Sequence, residues 1–331
     1  MQRFGKALCA LATGLLVSAS LAFPSQAEAQ GQTQAQAWPQ RPVRFIVSLG
    51  PGSGADVGAR LLADKLSAKW KQPVVVENRP GGDAVVAINA FIGAKDDHTL
   101  LYSPTSSFTA HPFQMAKMPY DPAELSPIAR VSNTVSGLIV TPSLKIDSVK
   151  DLIAQIKAQP GKMNFSTATG MFDFIYEGYF KSAGLVITRV PYRDVVAPLT
   201  DLGEGRIQAY VGALAIVQPH VQAGRAKMIA VITSQRAPTL PDMPTVAEGG
   251  YPELTIDGLI GLFGPRDMSS AVRDRIAADI KEVMADPAIS SRFTATGQLV
   301  SPGTAAEFAK SIEAQRTMLA GVVKRLGVKP Q

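Results

Sequence analysis

The residues Gly50-Pro-Gly-Ser-Gly-Ala55 follow the apolar run Arg44-Phe-Ile-Val-Ser-Leu49 and lead into Val57, Leu61, Leu62, Leu66 and Trp70, which fall on one helical face. A loop of small residues between a strand and a helix N-terminus lets backbone N–H groups approach an anion. The helix dipole adds roughly 0.3–1 kcal/mol there. Asp56 stands where a cap for that helix belongs. Glu77 closes the next apolar run about 20 residues on, so two chemistries fit: a dinucleotide fingerprint, and a carboxylate or phosphate held at a helix N-terminus. Pro51 stiffens the turn and Ala55 stands where a third Gly is usual, which favours the simpler anion site.

Other chemistry finds less support. No G-x-S-x-G marks a strand–helix turn, and the chain has 3 His, at 98, 111 and 220, far apart in sequence. His98 sits in the turn Lys95-Asp-Asp-His98 and is expected in solvent. His220 reads as helical surface or satisfied core, and His111 follows a Ser-rich loop where a ligand contact is one reading. No H-x-x-x-H, EF-hand or P-loop spacing occurs, so no metal or cofactor is expected. Phe172, Phe174 and Tyr176 surround Asp173 at a helix start. Helical spacing favours core packing for these rings, above all Phe174. Phe172 could instead stack on a planar ligand.

The elements that would hold these residues alternate strand and helix. Strands are expected at Arg44–Leu49, Pro73–Glu77, Thr99–Tyr102, Leu138–Val140, Asn164–Phe165, Ile187–Val190, Ile207–Val211 and Gly258–Phe263. Helices follow most of them, including Ser148–Ala158, capped by Ser148 with Asp151 three residues on, and a long amphipathic Ala305–Leu326. This alternation predicts an α/β fold of mainly parallel sheets flanked by helices. Ligands of such folds sit beyond the carboxyl ends of strands. The loops that matter are therefore Gly50–Asp56, Ser103–His111, Ser166–Asp173, Tyr192–Asp194 and Gly212–Ala213.

With 331 residues the chain fits two domains, and 33 Lys+Arg against 27 Asp+Glu gives a net charge of +6. Without a Lys/Arg run this argues against nucleic acid and suits small anions. Arg3 and Lys6 precede an apolar stretch, Ala7 to Ala22, too short to span a membrane comfortably. A-x-A sites follow at Ala27/Ala29 and Ala35/Ala37, so residues 1–29 read as an export signal with cleavage as late as 37. Cys9, the one cysteine, lies inside that stretch, which leaves no thiol in the mature chain.

The mature chain resembles the substrate-binding proteins of tripartite tricarboxylate transporters, the Bug family. The resemblance rests on Trp38-Pro-Gln-Arg-Pro42, Pro51-Gly-Ser-Gly-Ala-Asp56, Pro73-Val-Val-Val-Glu-Asn-Arg-Pro-Gly81 and Met118-Pro-Tyr-Asp-Pro122. It continues through Pro160-Gly-Lys-Met-Asn-Phe165, Val190-Pro-Tyr192, Leu240-Pro-Asp-Met-Pro-Thr-Val-Ala-Glu248 and Gly327-Val-Lys-Pro330. What it implies is a non-enzymatic periplasmic receptor of the two-domain Venus-flytrap type, expected as a monomer. One domain would comprise residues 38–130 plus 256–331 and the other 131–255, with crossing strands near Val131 and Ile256–Leu259. Such a receptor takes a small organic carboxylate between its domains and hands it to the membrane permease subunits of the transporter.

Carried over by position, the ligand-binding residues are Gly52, Ser53, Gly54, Ala55 and Asp56, then Ser103, Thr105, Ser106 and Ser107. From the other domain come Thr167, Thr169, Gly170, Met171, Phe172, Asp173, Tyr192 and Arg193, the last able to pair with a second acid group if it faces inward. The chain departs from the family pattern at Gly170-Met-Phe-Asp-Phe174, at Gly212-Ala213 and at Arg193-Asp194. Lost hydroxyls and added rings there suggest a flat aromatic carboxylate such as phthalate or terephthalate. Alternatives are an ordinary aliphatic dicarboxylate with Phe172 and Phe174 in the core, an exported NAD-dependent oxidoreductase, and an orphan sensor presenting an aliphatic dicarboxylate to a signalling partner.

Overall fold

The computed structural model describes residues 38–326 apart from Thr169 and Arg193. The expected export signal, the contacts of Thr169 and Arg193, and the side chains of Ser106 and Ser107 lie outside the described residues.

Two mixed sheets form the frame. The first is ordered β11-β4-β10-β3-β1-β2, the second β7-β6-β8-β5-β9. The first holds β1 (Val43–Val47), β2 (Val74–Asn78), β3 (Thr99–Pro104), β4 (Ser126–Thr134), β10 (Gly258–Gly264) and β11 (Gln298–Gly303). The second holds β5 (Ser136–Val140), β6 (Asn164–Thr167), β7 (Thr188–Arg189), β8 (Ala209–Ala213) and β9 (Lys227–Val231). The helices are α1 (Gly54–Trp70), α2 (Val85–Ala94), α3 (Thr105–Gln114), α4 (Val149–Ala158) and α5 (Gly170–Ser182). The chain continues with α6 (Ala197–Gly203), α7 (Leu214–Gln222), α8 (Ser270–Met284), α9 (Pro287–Ala295) and α10 (Ala305–Leu326).

The two-domain α/β fold is as expected, but the sheets are parallel over only part of their width. β1 runs parallel to β2 and β3, and β6 parallel to β7 and β8. β10 is antiparallel to β3 and β4, β11 to β4, and β5 to β8 and β9. The reason is connectivity. β4 runs through Val135 straight into β5, so one strand leaves the first sheet for the second. The chain returns at β10, beside β4 and in the opposite sense. An outgoing strand paired with its returning neighbour must be antiparallel.

Each sheet buries apolar side chains on both faces. Val43, Phe45, Leu100 and Leu262 pack under α1, α8 and α9, the last contributing Phe293, and Ile46, Leu101 and Phe263 pack on the opposite face with Phe308 of α10. The second sheet packs Leu138, Phe165, Tyr176 and Phe180 on one side and Ile139, Leu202, Tyr210 and Val217 on the other. The terminal helix α10 joins both bodies: Phe308 and Ile312 belong to the first core, Leu319 to the second. Burying a ring as large as that of Phe308 contributes roughly 1.5–3 kcal/mol.

The approach of α10 depends on Gly261 in β10. A Cβ at this position would stand 2.5 Å from the Ala129 carbonyl oxygen and would also overlap the Phe308 ring. Backbone cannot give way as a flexible side chain can. Gly261→Ala is therefore expected to cost about 3 kcal/mol, the upper part of the range for over-packing, and to lower the melting temperature by several degrees. A melt within a degree of wild type would show that α10 does not depend on this contact.

Candidate functional site

The loops at the carboxyl ends of both sheets meet around the start of β11. In β-sheet register Pro104 faces Ile260, Ile260 faces Ser132, and Ser132 faces Val300. The Ser132 hydroxyl donates to Gln298 Oε1 at 2.5 Å, while Gln298 Nε2 donates to the Gly54 carbonyl at the start of α1. On the other side Val135 N–H donates to the Gly297 carbonyl, and the first residues of α7 crowd Gly297 so closely that a Cβ there would lie 3.1 Å from the Ala215 nitrogen. Gly170 at the start of α5 faces the Gln114 amide at the end of α3, again 3.0 Å from where a Cβ would be. Thus the N-termini of α1 and α7 come together around one strand end, and α5 abuts α3.

These N-termini are not equivalent. Ser53, in extended conformation, caps α1 by accepting the Asp56 N–H at 3.2 Å. Asp56, three residues into the turn, reaches back to the Gly52 N–H at 2.9 Å, an arrangement close to a capping box. The cap is therefore Ser53, and Asp56 completes it. Asp56 also accepts from Asn78 at 2.9 Å and pairs with Arg60 at 3.0 Å, and the whole residue is 4% exposed. Burial alone would raise its pKa, but the Gly52 N–H, Arg60 and Asn78 outweigh that and lower it. The positive end of α1 is thus largely answered from within the chain.

α5 and α6 are answered similarly. Asp173 occupies the first turn of α5, and Asp194 accepts the Val196 and Ala197 N–H groups at 2.8 and 2.7 Å. By contrast, α3 begins after Pro104 and α7 after Ala213. Neither first turn carries an acid, and among the described residues no side chain caps either helix. Four N–H groups at such an end have no partner within the helix.

The hydroxyls singled out in the first sheet turn inward. Ser103 and Ser48, both buried, share a 2.8 Å hydrogen bond. Thr105 donates to Gln315 Oε1 at 2.5 Å, and Gln315 Nε2 donates to the Asp257 carbonyl at 2.6 Å. In the second domain a concavity of about 130 Å³ brings together Thr167, Gly170, Asp173, Arg189 and Tyr192. Met171 and Phe172 do not reach it, since both side chains are buried in the core of the second sheet, with Phe174 packed against that core. Gly52, Gly54 and Ala55 offer backbone only, and Ala55 is buried.

The expected solvent position of His98 is not observed. It is 6% exposed, with Nδ1 against Asp97 at 2.6 Å and Nε2 accepting the Gln40 N–H at 3.2 Å. The turn folds under Trp38, whose ring lies 5.5 Å from the imidazole, and an aromatic neighbour cannot be read from a turn motif. His111 is fully buried, bonded to the Tyr120 hydroxyl at 2.7 Å, with Asp83 at 3.5 Å. Sequence reasoning missed Gln298, Gln315, Arg189 and Asp257. None stands in a Gly/Ser-rich loop, and each acts across 16 or more positions of chain. Among the described residues no three His, Cys, Asp or Glu side chains cluster as a metal set, and no helix is long and apolar enough to cross a membrane.

With this geometry in view, comparison with known proteins is direct. Residues 58–328 match the tripartite tricarboxylate transporter family receptor. The chain belongs to that family. It is 31% identical to protein BugT of Bordetella pertussis over 312 residues, 93% of this chain and 96% of BugT. It is equally 31% identical to a UPF0065 protein of Bordetella bronchiseptica, covering 90% of this chain and 89% of that one. Among solved structures it is similar to R. palustris Rpa4515 with adipate, at 27% identity and a TM-score of 0.78, covering 89% of this chain and all of the other. The periplasmic binding protein BugD, at 23% identity and a TM-score of 0.74, covers 89% of this chain and all of its own, and shares the fold. The receptor is a solute-binding protein rather than an enzyme, and the solved structures it resembles are periplasmic.

The internal capping of α1 carries a pH signature. Asp56 is held below its unfolded pKa of about 4, so its contribution is complete above that pH and is lost as pH falls through the lower folded value. Asp56→Asn is expected to cost roughly 1.5–3 kcal/mol at neutral pH, typical of hydrogen bonds to a charged group. The gap between mutant and wild type should narrow as pH falls below about 4. Urea titrations across that range test this, and a gap independent of pH would remove the charge from the explanation.

Proposed function

We propose that the protein is a periplasmic receptor that captures a small organic carboxylate between its domains and delivers it to the permease subunits of a tripartite tricarboxylate transporter. The export signal read in residues 1–29 supports that location, and the receptor works as a monomer. The domains divide as residues 38–130 plus 256–331 and residues 131–255. The passage of β4 into β5 and the return through Ile256 and Asp257 support that division.

The single observation that carries the reading is the contrast among helix N-termini. α1, α5 and α6 bring their own carboxylates, while α3 and α7 do not. A ligand carboxylate is therefore held best by the first-turn N–H groups of α3, at Thr105, Ser106 and Ser107, and by those of α7 beyond Leu214, whose own N–H donates to the Val135 carbonyl. The Gly52–Ala55 loop shapes the wall beside them. Capture needs no chemistry, only closure around the anion. The adipate bound by Rpa4515 is a carboxylate of this class, which supports the reading. A flat aromatic acid of phthalate or terephthalate type rests on Phe172 facing the cleft, and its place in the core speaks for an aliphatic ligand.

Two measurements test this. In a thermal-shift series, an aliphatic carboxylate at a hundred times its dissociation constant should add about 2.7 kcal/mol. Aromatic carboxylates and NAD(H) should add none. A shift with an aromatic acid alone would restore the aromatic reading, and a shift with NAD(H) alone would reject the receptor. Ala213→Asp is expected to cap α7, raising ligand-free stability by about 1 kcal/mol, and to weaken carboxylate binding at least tenfold. Unchanged affinity in a correctly folded variant would move the anion away from α7.

A further inference from the structure

The second-domain concavity has a polarity that the carboxylate alone does not explain. Two of its hydroxyls have their protons turned away from it. The Thr167 hydroxyl donates to Asp173 Oδ1 at 2.8 Å, and the Tyr192 hydroxyl donates to Asp201 Oδ2 at 2.5 Å. Asp173 itself, as a carboxylate, only accepts. What Tyr192 and Asp173 present to the hollow is oxygen lone pairs. Among the described residues the cation on its wall is Arg189, shared between Asp173 at 3.1 Å and Glu177 at 2.5 Å, one positive charge against two negative ones. Arg206, further out, is likewise taken up by Asp201 and Glu204.

The helix geometry points the same way. The start of α5 would be the natural place for a second ligand carboxylate, yet its first turn already carries Asp173. Burial raises the pKa of this carboxyl, against the lowering by Thr167 and Arg189, so its charge sits where solvent compensates it poorly. A second ligand anion here would add repulsion to that cost. A cationic donor would relieve it, because a hydrogen bond to an ionised partner is about twice as strong as one between neutral groups.

Resting on the receptor reading above, we infer that the ligand carries a carboxylate at one end and an ammonium group at the other, the ammonium seated against Asp173 with Tyr192 as a further acceptor. The ligand class is an aminocarboxylate rather than a dicarboxylate.

Matched pairs of equal length decide the matter: succinate against 4-aminobutanoate, glutarate against 5-aminopentanoate, and adipate against 6-aminohexanoate, each titrated calorimetrically into the mature wild-type protein. The expected result is that the best-fitting aminocarboxylate binds about 10- to 100-fold more tightly than its dicarboxylate partner. Asp173→Asn, which keeps the shape and an acceptor for Thr167, should erase that preference while leaving the ligand-free melting temperature near wild type. If that variant does not fold, the wild-type ranking decides alone. A dicarboxylate preference, or no preference at any length, overturns the inference and leaves the receptor reading standing. If no carboxylate of any kind binds, the receptor reading fails and this one falls with it.

Discussion

The side chain of Asp257 is the tie on which the arrangement of the two sheets depends. It lies on the returning strand, immediately before β10, and accepts from three donors on two other segments. Asn133 of β4 reaches it at 2.8 Å, and Ser234, just past β9, donates its N–H at 3.1 Å and its hydroxyl at 2.9 Å. Its own carbonyl holds Gln315 of α10, which in turn holds Thr105 at the start of α3. One residue thus joins the outgoing strand, the returning strand, the end of the second sheet and the terminal helix. Since β4 enters β5 through Val135 alone, the relative position of the two sheets is set within a few residues of this carboxylate.

Downstream of that tie, the site is made by backbone more than by side chains. Hydroxyls that would look like ligand contacts in sequence are used to hold the loops: Ser103 to Ser48, Thr105 to Gln315, Ser53 to the α1 amides. Spending them internally fixes the turns that lead into α1 and α3. An anion held by fixed dipoles needs no reorganisation of charged side chains and leaves no uncompensated cation when the site empties. Where the chain needs selectivity rather than capture it places charge, and the acids at Asp56, Asp173 and Asp194 mark helix ends already answered from within.

Most of this frame was legible in the sequence, and what was not has identifiable causes. Strands β1, β2, β3, β5, β6, β8 and β10 stand out as β-branched or apolar runs ending in Gly/Ser-rich loops. β11 reads Gln298-Leu-Val-Ser-Pro-Gly303, where Pro and Gly argue against a strand, but it lies at the sheet edge, where Pro is tolerated. β9 was hidden because Lys227-Met-Ile-Ala-Val231, with Lys, Met and Ala, fits a helix equally well. The antiparallel pairing could not come from local pattern, because it follows from which strands cross between sheets. For the candidate site, loop composition marked turns that do lie between strand ends and helix starts. It could not say which way a side chain points, so Ser103, Thr105 and Phe172 face inward where sequence position alone suggests exposure.

On the receptor reading, the crossing between the sheets also bears on how capture by closure would work. At the crossing, Asn133 Oδ1 and Thr255 Oγ1 are buried without a hydrogen-bond partner among the described residues, one on each of the two segments that join the sheets. A buried orphan oxygen costs about 1–3 kcal/mol. Other buried polar atoms among the described residues lack a partner too, including the Tyr102 and Tyr176 hydroxyls in the two cores, but these two oxygens stand where the domains join. There the cost bears on the angle between the sheets, because another angle could bring the oxygens to water or a new donor. Capture by closure needs two domain arrangements separated by no more than a few kcal/mol, so that the ligand's differential affinity can choose between them. Asp257 keeps the strands in register while the orphan oxygens keep the angle from being over-determined. On that reading the fold is held firmly at the helix starts and less strictly at the crossing.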